Sequence, residues 1–346
     1  ELMIMQLTFF KNDYTQTKKY IDGVFKSKQE IIDYCHDQGK DDIYFVLSFG
    51  AGTQSTHLLE EHFKGNIHYD YIVFSDTGAE PEFIHEQVGW WKKRQKEYGN
   101  QTPFITTQHN SMIHGLEEML FRYILTDYQR FQMPLYFNRI DENGNEVPAG
   151  MTPRQCTVDF KIIPVKQAVR KMIMQKYGLK PKQRFPDNVG IIQDIGFSYD
   201  ELNRVSTWQS PQYKYIYLAY PLIEKGLTTQ DSINYLKEHG FPDKRSRCYF
   251  CPFNCDLRDI GMDWYEIIET EPLSFLKAVW FDEELRKVVR TGKKNLRNIP
   301  YFHHSRKPLK TVYEKEYEVI KKKYEKEFAE WLTNWKKYIK KKYGTR

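Results

Sequence analysis

The sequence contains no apolar run that approaches the ~20 residues of a membrane-spanning helix. It also lacks the pattern of a secretory signal peptide, an internal repeat and a low-complexity linker. These absences argue against a membrane protein and against a secreted one. We therefore expect a soluble cytoplasmic protein, and its 346 residues suffice for one full α/β core with a smaller appendage.

Cysteine is scarce, and three of the five cysteines lie close together as Cys248, Cys251 and Cys255. In a chain without a signal peptide, the spacing Cys-x-x-Cys-x-x-x-Cys indicates a metal site rather than a disulfide framework. The alternative is that these residues are buried structural thiols. Cys35 stands alone in a stretch with a helical apolar pattern and is predicted to be a core residue.

A large excess of charge is also missing, since 52 Lys and Arg are balanced by 46 Asp and Glu. The basic residues are unevenly placed, because residues 336–346 contain six Lys or Arg and no acid. Upstream, apolar residues recur every three or four positions and predict an amphipathic helix. They are Tyr313, Tyr317, Ile320, Tyr324, Phe328, Trp331, Trp335 and Tyr338. The basic face of this helix predicts either contact with a nucleic-acid backbone or a solvated face of a helix packed on the domain.

A short apolar run at residues 43–47 leads into a loop of small residues at 48–56. The run predicts a strand, and the segment from His57 predicts the start of a helix. Gly and Ala let the backbone approach a ligand, and the free N–H groups of the following helix favour phosphate. The pattern therefore predicts either a phosphate-binding loop or an ordinary glycine-rich turn.

A second apolar run at residues 71–74 ends in Ser75-Asp76-Thr77-Gly78. Because the carboxyl ends of parallel strands share one edge of a sheet, Asp76 is expected at the same edge as the first loop. There it can accept a hydrogen bond from ribose or adenine, or hold a metal on a triphosphate. The alternative is that Asp76 caps a helix that starts near Pro81 and Glu82.

Together these loops resemble the PP-loop ATP pyrophosphatases, specifically the branch of the phosphoadenosine phosphosulfate (PAPS) reductases and their relatives in phage and mobile elements. Gly50-Ala51-Gly52-Thr53-Gln54-Ser55 is similar to the Ser-Gly-Gly-x-Asp-Ser loop of the superfamily, with Gln54 in place of the acid, as in the reductase branch. Further blocks that resemble motifs of this branch, in the same order, are residues 154–165, 195–204, 220–222 and 245–253. The resemblance covers residues 43–258, with a weaker echo at 301–309.

The resemblance implies an α/β fold with a doubly wound parallel sheet, like that of the adenine nucleotide alpha-hydrolases, with a Cys-rich insert and a helical C-terminal region. It implies ATP or a sulfonucleotide as the ligand, together with Mg²⁺. The residues implied in nucleotide binding are Ser48, Gly50, Gly52, Gln54, Ser55, Thr56, Asp76 and Gly78. Lys161, Arg204 and Gln54 are the candidate catalytic residues, and the two cations would stabilise charge on the phosphoryl oxygens. Asp200 and Glu201 are expected to hold Mg²⁺ or to orient Arg204, the alternative being a surface salt bridge.

Cys156 lies in one of these motif blocks, and the resemblance makes it the fourth metal ligand beside Cys248, Cys251 and Cys255. Four thiolates suit either a 4Fe–4S cluster or a tetrahedral Zn²⁺ ion. Many relatives carry only two cysteines in the last block. A cluster held by three cysteines, without Cys255, is therefore an alternative.

PAPS reductases proper carry a nucleophilic cysteine in a C-terminal motif, whereas no cysteine follows Cys255 here. The resemblance therefore favours an enzyme that adenylylates its substrate and inserts sulfur into nucleic acid, as in DNA phosphorothioation or transfer-RNA thiolation. A partner such as a cysteine desulfurase would donate the sulfur. The alternatives are a reductase or hydrolase of a small sulfonucleotide, and a nucleotide-binding regulatory subunit without turnover.

The chain is expected to contain a leader, a nucleotide-binding domain, a Cys-rich segment and a helical region with a basic tail. In the same order, these segments are residues 1–42, 43–225, 226–265 and 266–346. The leader is predicted to be helical at 27–36, and an exposed turn is predicted at 141–146. The strands predicted in the nucleotide-binding domain are 43–47, 71–74, 104–107 and 189–197.

Overall fold

A computed structural model describes residues 23–256 and 262–344 of the chain. The described residues divide into two compact units, each built from several chain segments. Unit 1 consists of residues 23–74, 86–107 and 165–246. Unit 2 consists of residues 75–85, 108–164, 247–256 and 262–344. The predicted nucleotide-binding segment contributes to both units, and residues 1–22 of the predicted leader lie outside the described residues.

The strands of the described residues form two sheets. In chain order they are β1 (Asp42–Phe49), β2 (Tyr71–Ser75), β3 (Phe104–Thr107), β4 (Tyr136–Ile140), β5 (Glu146–Met151), β6 (Val189–Ile195), β7 (Ile216–Ala219) and β8 (Ile299–Tyr301). The larger sheet belongs to unit 1, is parallel throughout and has the order β3-β2-β1-β6-β7. The predicted α/β class with a parallel sheet is therefore confirmed.

Burial explains why these strands could be recognised in the sequence. All but the last residue of β6 and every residue of β7 are buried. A parallel sheet covered by helices favours such nearly continuous apolar runs. The predicted strands coincide with β1, β2, β3 and β6 to within two residues at each end. Strand β7, which is four residues long, was not among the predicted strands.

The order of the parallel sheet reverses at β1. The chain passes from β1 outward to β2 and β3, and then returns to the other side of β1 with β6 and β7. Strands β1 and β6 pair from Asp42 opposite Val189 to Ser48 opposite Ile195. Such a reversal leaves a crevice beyond the carboxyl ends of the two adjoining strands, where open α/β sheets bind their ligands.

Twelve α-helices of four residues or more occur in the described residues. They are α1 (Lys28–Asp37), α2 (Thr53–Phe63), α3 (Glu82–Glu97), α4 (Gly115–Leu125), α5 (Ile163–Lys176), α6 (Pro221–Glu224), α7 (Thr229–Glu238), α8 (Asp263–Thr270), α9 (Pro272–Arg290), α10 (Leu309–Val312), α11 (Glu314–Lys323) and α12 (Glu325–Tyr343). None of these described helices combines the length and the apolar character needed to cross a membrane. Helix α1 confirms the helix predicted at 27–36, and Ser27 and Glu30 form a capping box at its start.

Unit 2 contains the second sheet, which is antiparallel and has the order β5-β4-β8. The turn between β4 and β5 is closed by a hydrogen bond of 3.0 Å from Asp141 N–H to the Asn145 carbonyl, at the predicted exposed turn. The core of this unit is rich in buried aromatic side chains. They include Phe121, Tyr123, Phe250, Trp264, Phe275 and Phe281.

The apolar stripe predicted near the C-terminus lies on α11 and α12 and packs on the core of unit 2. The Trp335 ring stacks on the Phe121 ring with a centroid distance of 4.8 Å, and the Trp331 centroid lies 5.1 Å from the same ring. Ile339 is fully buried. The stripe therefore contributes to the core of this chain, and the predicted helical character of the region is confirmed.

Candidate functional site

The loop after β1 is held together by the Ser55 hydroxyl group. Gly50 N–H donates to Ser55 Oγ at 3.1 Å, and the Ser55 hydroxyl donates to the Gly52 carbonyl at 3.0 Å. Ala51 is fully buried with a φ of 53°, a left-handed conformation that costs a non-glycine residue about 1–2 kcal/mol. The Gln87 side-chain amide supports it by donating to the Ala51 carbonyl at 2.6 Å. The loop therefore has a fixed and strained shape, which is common at binding sites.

Helix α2 begins at Thr53, so the prediction that it starts at His57 was wrong. Small polar and β-branched residues at 53–56 favour turns and strands, and this concealed the first helical turn. Gly52 is the N-cap residue, and no side chain of the described residues caps the helix. An uncapped first turn presents N–H groups and the positive end of the helix dipole, both of which favour an anion.

The residue that follows β6 packs directly against this loop. A Cβ atom at Gly196 would lie 2.7 Å from Ser55 N and 3.0 Å from Ser55 Cα. Only glycine avoids this contact, so Gly196 is what allows the chain after β6 to reach the first turn of α2. The loop after β1 and the chain after β6 thus meet at the reversal point of the sheet.

Thr56 is the most deeply buried of the predicted nucleotide ligands. Its side chain is fully buried, and its Oγ1 has no hydrogen-bond partner among the described residues. Ser48 is half-buried within β1, opposite Ile195 of β6. The first turn of α2 therefore offers its backbone N–H groups more readily than the Thr56 hydroxyl.

Gln54 and Arg204, two of the three predicted catalytic residues, both contact Glu201 in unit 1. Gln54 Nε2 donates to Glu201 Oε2 at 3.3 Å and to Thr229 Oγ1 at 3.2 Å. Arg204 forms an ion pair with Glu201 Oε1. Asp200 has a separate role, because its carboxylate accepts from Thr229 N–H at 2.8 Å at the start of α7. The pair of Arg204 with Glu201 fits both the expected orienting role and its alternative, a surface salt bridge, because the Arg204 side chain is 44% exposed.

Asp76 and Gly78 form a tight turn just after β2. Gly78 N–H donates to Asp76 Oδ1 at 2.8 Å. Gly78 has a φ of 67°, and a Cβ atom there would lie 2.3 Å from the carbonyl oxygen of His114. Gly115 has a φ of 58°, and a Cβ atom there would lie 1.8 Å from the carbonyl oxygen of Thr77. Two segments of unit 2 therefore cross with their backbones in contact, and each requires glycine at the crossing.

Lys161, the third predicted catalytic residue, lies beside a buried carboxylate in unit 2. Its Nζ atom is 3.4 Å from Glu80 Oε1, and the Thr77 hydroxyl donates to the same oxygen at 3.1 Å. The other oxygen, Glu80 Oε2, is buried and has no hydrogen-bond partner among the described residues. Burial lowers the pKa of Lys161, but the charges of Glu80 and Cys248 outweigh it and raise the pKa above its ordinary value. Lys161 therefore carries a positive charge at neutral pH.

Three of the four predicted thiol ligands lie near one another and near Lys161 in unit 2. They are Cys156, Cys248 and Cys251. Cys248 Sγ lies 3.6 Å from Thr77 Oγ1, and a hydrogen bond of 3.0 Å from Cys251 N–H to the Cys248 carbonyl forms a tight turn. Burial raises the pKa of Cys156, Cys248 and Cys251, that of Cys251 to about 11. The structure thus brings together three thiols and one cation.

Cys255, the fourth predicted ligand, has different neighbours. Its N–H donates to Asp263 Oδ2 at 3.3 Å, and its carbonyl accepts from Trp264 N–H at 3.2 Å. Tyr313 is a further neighbour of Cys255. Its pKa is raised by burial and then by the charges of Asp256, Tyr265 and Cys255. Within the described residues, no three cysteine sulfur atoms lie within 4.8 Å of one another. Thiolates around a single Zn²⁺ are about 3.8 Å apart, so the four thiols do not form a preassembled zinc tetrahedron.

The last cysteine, Cys35, is a core residue as predicted. It is fully buried in a small cluster of unit 1 that includes Ile31 and Ile192, and burial raises the pKa of its thiol to about 11. None of the five cysteines, all of which lie in described residues, forms a disulfide bond. This agrees with the prediction that the cysteines do not form a disulfide framework.

Glu80 and Gly196 are the site residues that were not singled out from the sequence. Glu80 follows the Asp-Thr-Gly stretch closely, but nothing local distinguishes it from the exposed Glu82. Gly196 lies in a recognised motif block, but its close approach to Ser55 depends on the pairing of β1 with β6. Both residues act through contacts between distant chain segments, which residue patterns do not show.

The chain was also compared with known proteins. No model of a known protein family matches it, and no curated protein is significantly similar to it.

Proposed function

We propose that this chain is a PP-loop ATP pyrophosphatase of the PAPS reductase-like branch, which binds ATP at the loop after β1 and adenylylates a substrate. The observation that carries the proposal is the contact of Gly196 with Ser55 at the reversal point of the parallel sheet. This contact joins two of the motif blocks beside an uncapped helix N-terminus. Such an arrangement is expected of an adenine nucleotide alpha-hydrolase-like fold.

In the proposed reaction, a substrate oxygen attacks the α-phosphorus of ATP. A bond forms between this oxygen and the α-phosphorus, the bond from the α-phosphorus to the bridging oxygen breaks, and pyrophosphate leaves with the electron pair. Backbone N–H groups in the first turn of α2 would hold phosphate oxygens, and Arg204, positioned by Glu201, would stabilise their charge. Gln54 donates to the same Glu201 carboxylate. Lys161 is the second proposed cation, and Mg²⁺ would neutralise the phosphates further.

We propose a 4Fe–4S cluster as the metal centre, beside which sulfur at the oxidation level of sulfide displaces AMP from the adenylylated substrate. A bond forms between sulfur and the substrate atom that carries the AMP group, the bond from that atom to the AMP oxygen breaks, and AMP leaves with the electron pair. The proposed ligands are Cys156, Cys248, Cys251 and Cys255. The donor set fits the cluster, because three neighbouring thiols lie with Lys161, which can compensate the charge of the thiolates. Within the described residues, no three thiols lie as close together as a single Zn²⁺ requires, whereas each ligand of a 4Fe–4S cluster binds a different iron. When bound, the cluster would supply redox and sulfur chemistry, with sulfur delivered by a partner such as a cysteine desulfurase.

Nucleic acid is the proposed substrate class, and the C-terminal helices supply the supporting observation. While their aromatic face packs on the core of unit 2, ten lysines of α11 and α12 are exposed. They are Lys315, Lys321, Lys322, Lys323, Lys326, Lys336, Lys337, Lys340, Lys341 and Lys342. Exposed lysines on one helical region favour contact with a phosphate backbone, in a salt-dependent and sequence-independent manner.

The Lys161→Ala variant is expected to release pyrophosphate from ATP about tenfold to a hundredfold more slowly than the wild type, because one cation that stabilises phosphoryl charge is removed. The measurement is a coupled pyrophosphate assay with AMP determined in the same samples. Lys171→Ala, which removes an exposed lysine of α5 outside the proposed sites, is the matched control and should keep the wild-type rate. Unaltered release by a folded Lys161→Ala protein would mean that Lys161 serves only the thiols.

Protein purified without oxygen is expected to contain iron and acid-labile sulfide in equal amounts, with a broad absorption band in the visible range. Cys248→Ser should lose most of both, whereas Cys35→Ser, which changes the buried cysteine of unit 1, should retain them. Iron, sulfide and zinc analysis of the three proteins provides the measurement. A wild-type protein that contains zinc and no iron would contradict the proposed cluster.

A further inference from the structure

We propose a second metal site in unit 2, formed by Asp256, His303 and His304, for a divalent transition-metal ion such as Zn²⁺ or Fe²⁺. The three side chains each offer one ligand atom, and these atoms all lie within 4.8 Å of one another. Two imidazoles and one carboxylate form a donor set typical of both ions. The proposal is independent of the proposed reaction with ATP and of the thiol ligands.

The distances between the ligand atoms fit a single ion. His303 Nε2 lies 3.2 Å from Asp256 Oδ2, and His304 Nε2 lies 3.7 Å from Asp256 Oδ1. Ligand atoms around a tetrahedral Zn²⁺ with bonds of about 2.05 Å are about 3.4 Å apart, a value that lies between these two distances. Because all three ligand atoms lie within 4.8 Å of one another, binding requires side-chain adjustments on the order of 1 Å to reach this spacing.

The fold holds the two histidines at the start of a turn that is fixed at both ends. This turn follows β8, and the buried Asp282 accepts from Phe302 N–H and from Leu309 N–H, each at 3.0 Å. Asp282 is itself paired with Arg286 at 2.7 Å. The positions of His303 and His304 are therefore set by backbone contacts that do not depend on a metal. A site on such a support needs little ordering when it binds an ion.

Ser305 provides the outer contact that ligating histidines usually make. The Nδ1 atom of His303 lies 2.7 Å from Ser305 Oγ and 3.2 Å from Ser305 N. When Nδ1–H donates to the hydroxyl, the Nε2 lone pair is directed to the ion, and this pattern is the common one in metal sites. In the other tautomer, Nδ1 accepts from Ser305 N–H and Nε2–H donates to Asp256. This second tautomer suits the metal-free protein. Metal binding would select the first of these two tautomers.

The site is also open to solvent on one side, and one of its polar atoms has no hydrogen bond. His303 is 2% exposed, whereas the His304 side chain is 40% exposed and gives an ion access. Asp256 Oδ1 is buried and has no hydrogen-bond partner among the described residues. A buried carboxylate oxygen without a hydrogen bond is costly, and a bound cation would remove that cost. Three protein ligands also leave a coordination position for water or a substrate atom.

Titration of the metal-free, untagged protein with Co²⁺ tests the site. We expect one high-affinity equivalent whose spectrum shows d–d bands but no thiolate-to-cobalt charge transfer, since the donors are nitrogen and oxygen. His304→Ala is the principal variant, because its exposed side chain can be removed without loss of the core. It should weaken binding at least about a hundredfold, and Ser305→Ala should weaken it about tenfold, as expected for an outer contact.

His68→Ala is the matched control. His68 also faces a carboxylate, Asp70, at 3.4 Å, but within the described residues no third ligand accompanies this pair. The control should bind Co²⁺ like the wild type, and zinc competition monitored by the cobalt spectrum should give the same stoichiometry. The proposal is overturned if His304→Ala binds as tightly as the wild type, or if the only bound cobalt shows thiolate charge transfer. It is equally overturned if the folded wild type binds no cobalt.

Discussion

Replacing Gly115 with alanine is expected to lower the free energy of unfolding by about 4 kcal/mol, near the upper end for a single substitution. Two causes add. Gly115 has a φ of 58°, which costs an alanine about 1–2 kcal/mol. The new Cβ would also lie 1.8 Å from the Thr77 carbonyl oxygen, a backbone atom that cannot rotate away. The same oxygen accepts from Leu116 N–H at 2.8 Å, so any movement of the crossing strains that bond.

A comparison with Gly99→Ala separates these two causes. Gly99 has a similar φ of 65°, but apart from its chain neighbours no atom of the described residues lies within 4 Å of the position of its Cβ. The control is therefore expected to lose only about 1 kcal/mol, from the left-handed conformation alone. Urea unfolding monitored by tryptophan fluorescence and circular dichroism gives both values. Equal losses in the two variants would show that the crossing at Thr77 is not as close as the structure has it.

The crossing illustrates what the sequence of this protein could not reveal. Gly78 was recognised because it ends the Asp-Thr-Gly stretch after a predicted strand, but Gly115 lies in no motif. Its need for glycine arises only when the start of α4 reaches the Thr77 carbonyl. The local residue pattern therefore predicted one side of the contact and could not predict the other.

Strand prediction succeeded or failed for a related reason. The apolar runs of β1, β2 and β6 are long enough to indicate buried strands. Strand β5 has no buried residue and β8 is only three residues long, so neither carries a periodic signal. Strand β5 pairs with its chain neighbour β4, but β8 pairs with β4 from a distant part of the chain. The parallel sheet could thus be predicted, whereas the second sheet could not.

The candidate sites also depend on contacts between residues that are far apart in the chain. Gln54 and Arg204 were predicted from separate motifs, and the structure shows that Glu201 contacts both. His303 and His304 lie in a weak part of the resemblance, and Asp256 is 47 residues from His303 in the chain. Because such a spacing matches no short metal-binding motif, only the fold brings the three side chains together.

The Gly196→Ala variant is expected to bind ATP roughly a hundredfold more weakly than the wild type, because displacements of about 1 Å at a positioned site have effects of this size. The added Cβ would lie 2.7 Å from Ser55 N and 3.1 Å from the carbonyl carbon of Gln54. Both are backbone atoms in the first turn of α2, so the loop after β1 must move. Overpacking of this kind is also expected to lower the free energy of unfolding by about 2–3 kcal/mol.

The control for this prediction is Gly89→Ala, in the interior of α3. Apart from the adjoining backbone of the helix, no atom of the described residues lies within 4 Å of the position of the added Cβ. Alanine is the better helix former, so this variant should gain about 0.5–1 kcal/mol and keep its affinity for ATP. Calorimetric titration with a non-hydrolysable ATP analogue, combined with urea unfolding, measures both quantities. If Gly196→Ala is destabilised but binds the analogue normally, the contact at Ser55 contributes only to packing, and the phosphates bind elsewhere. Loss of affinity in a variant that remains folded would instead locate the phosphate site at the reversal point of the sheet.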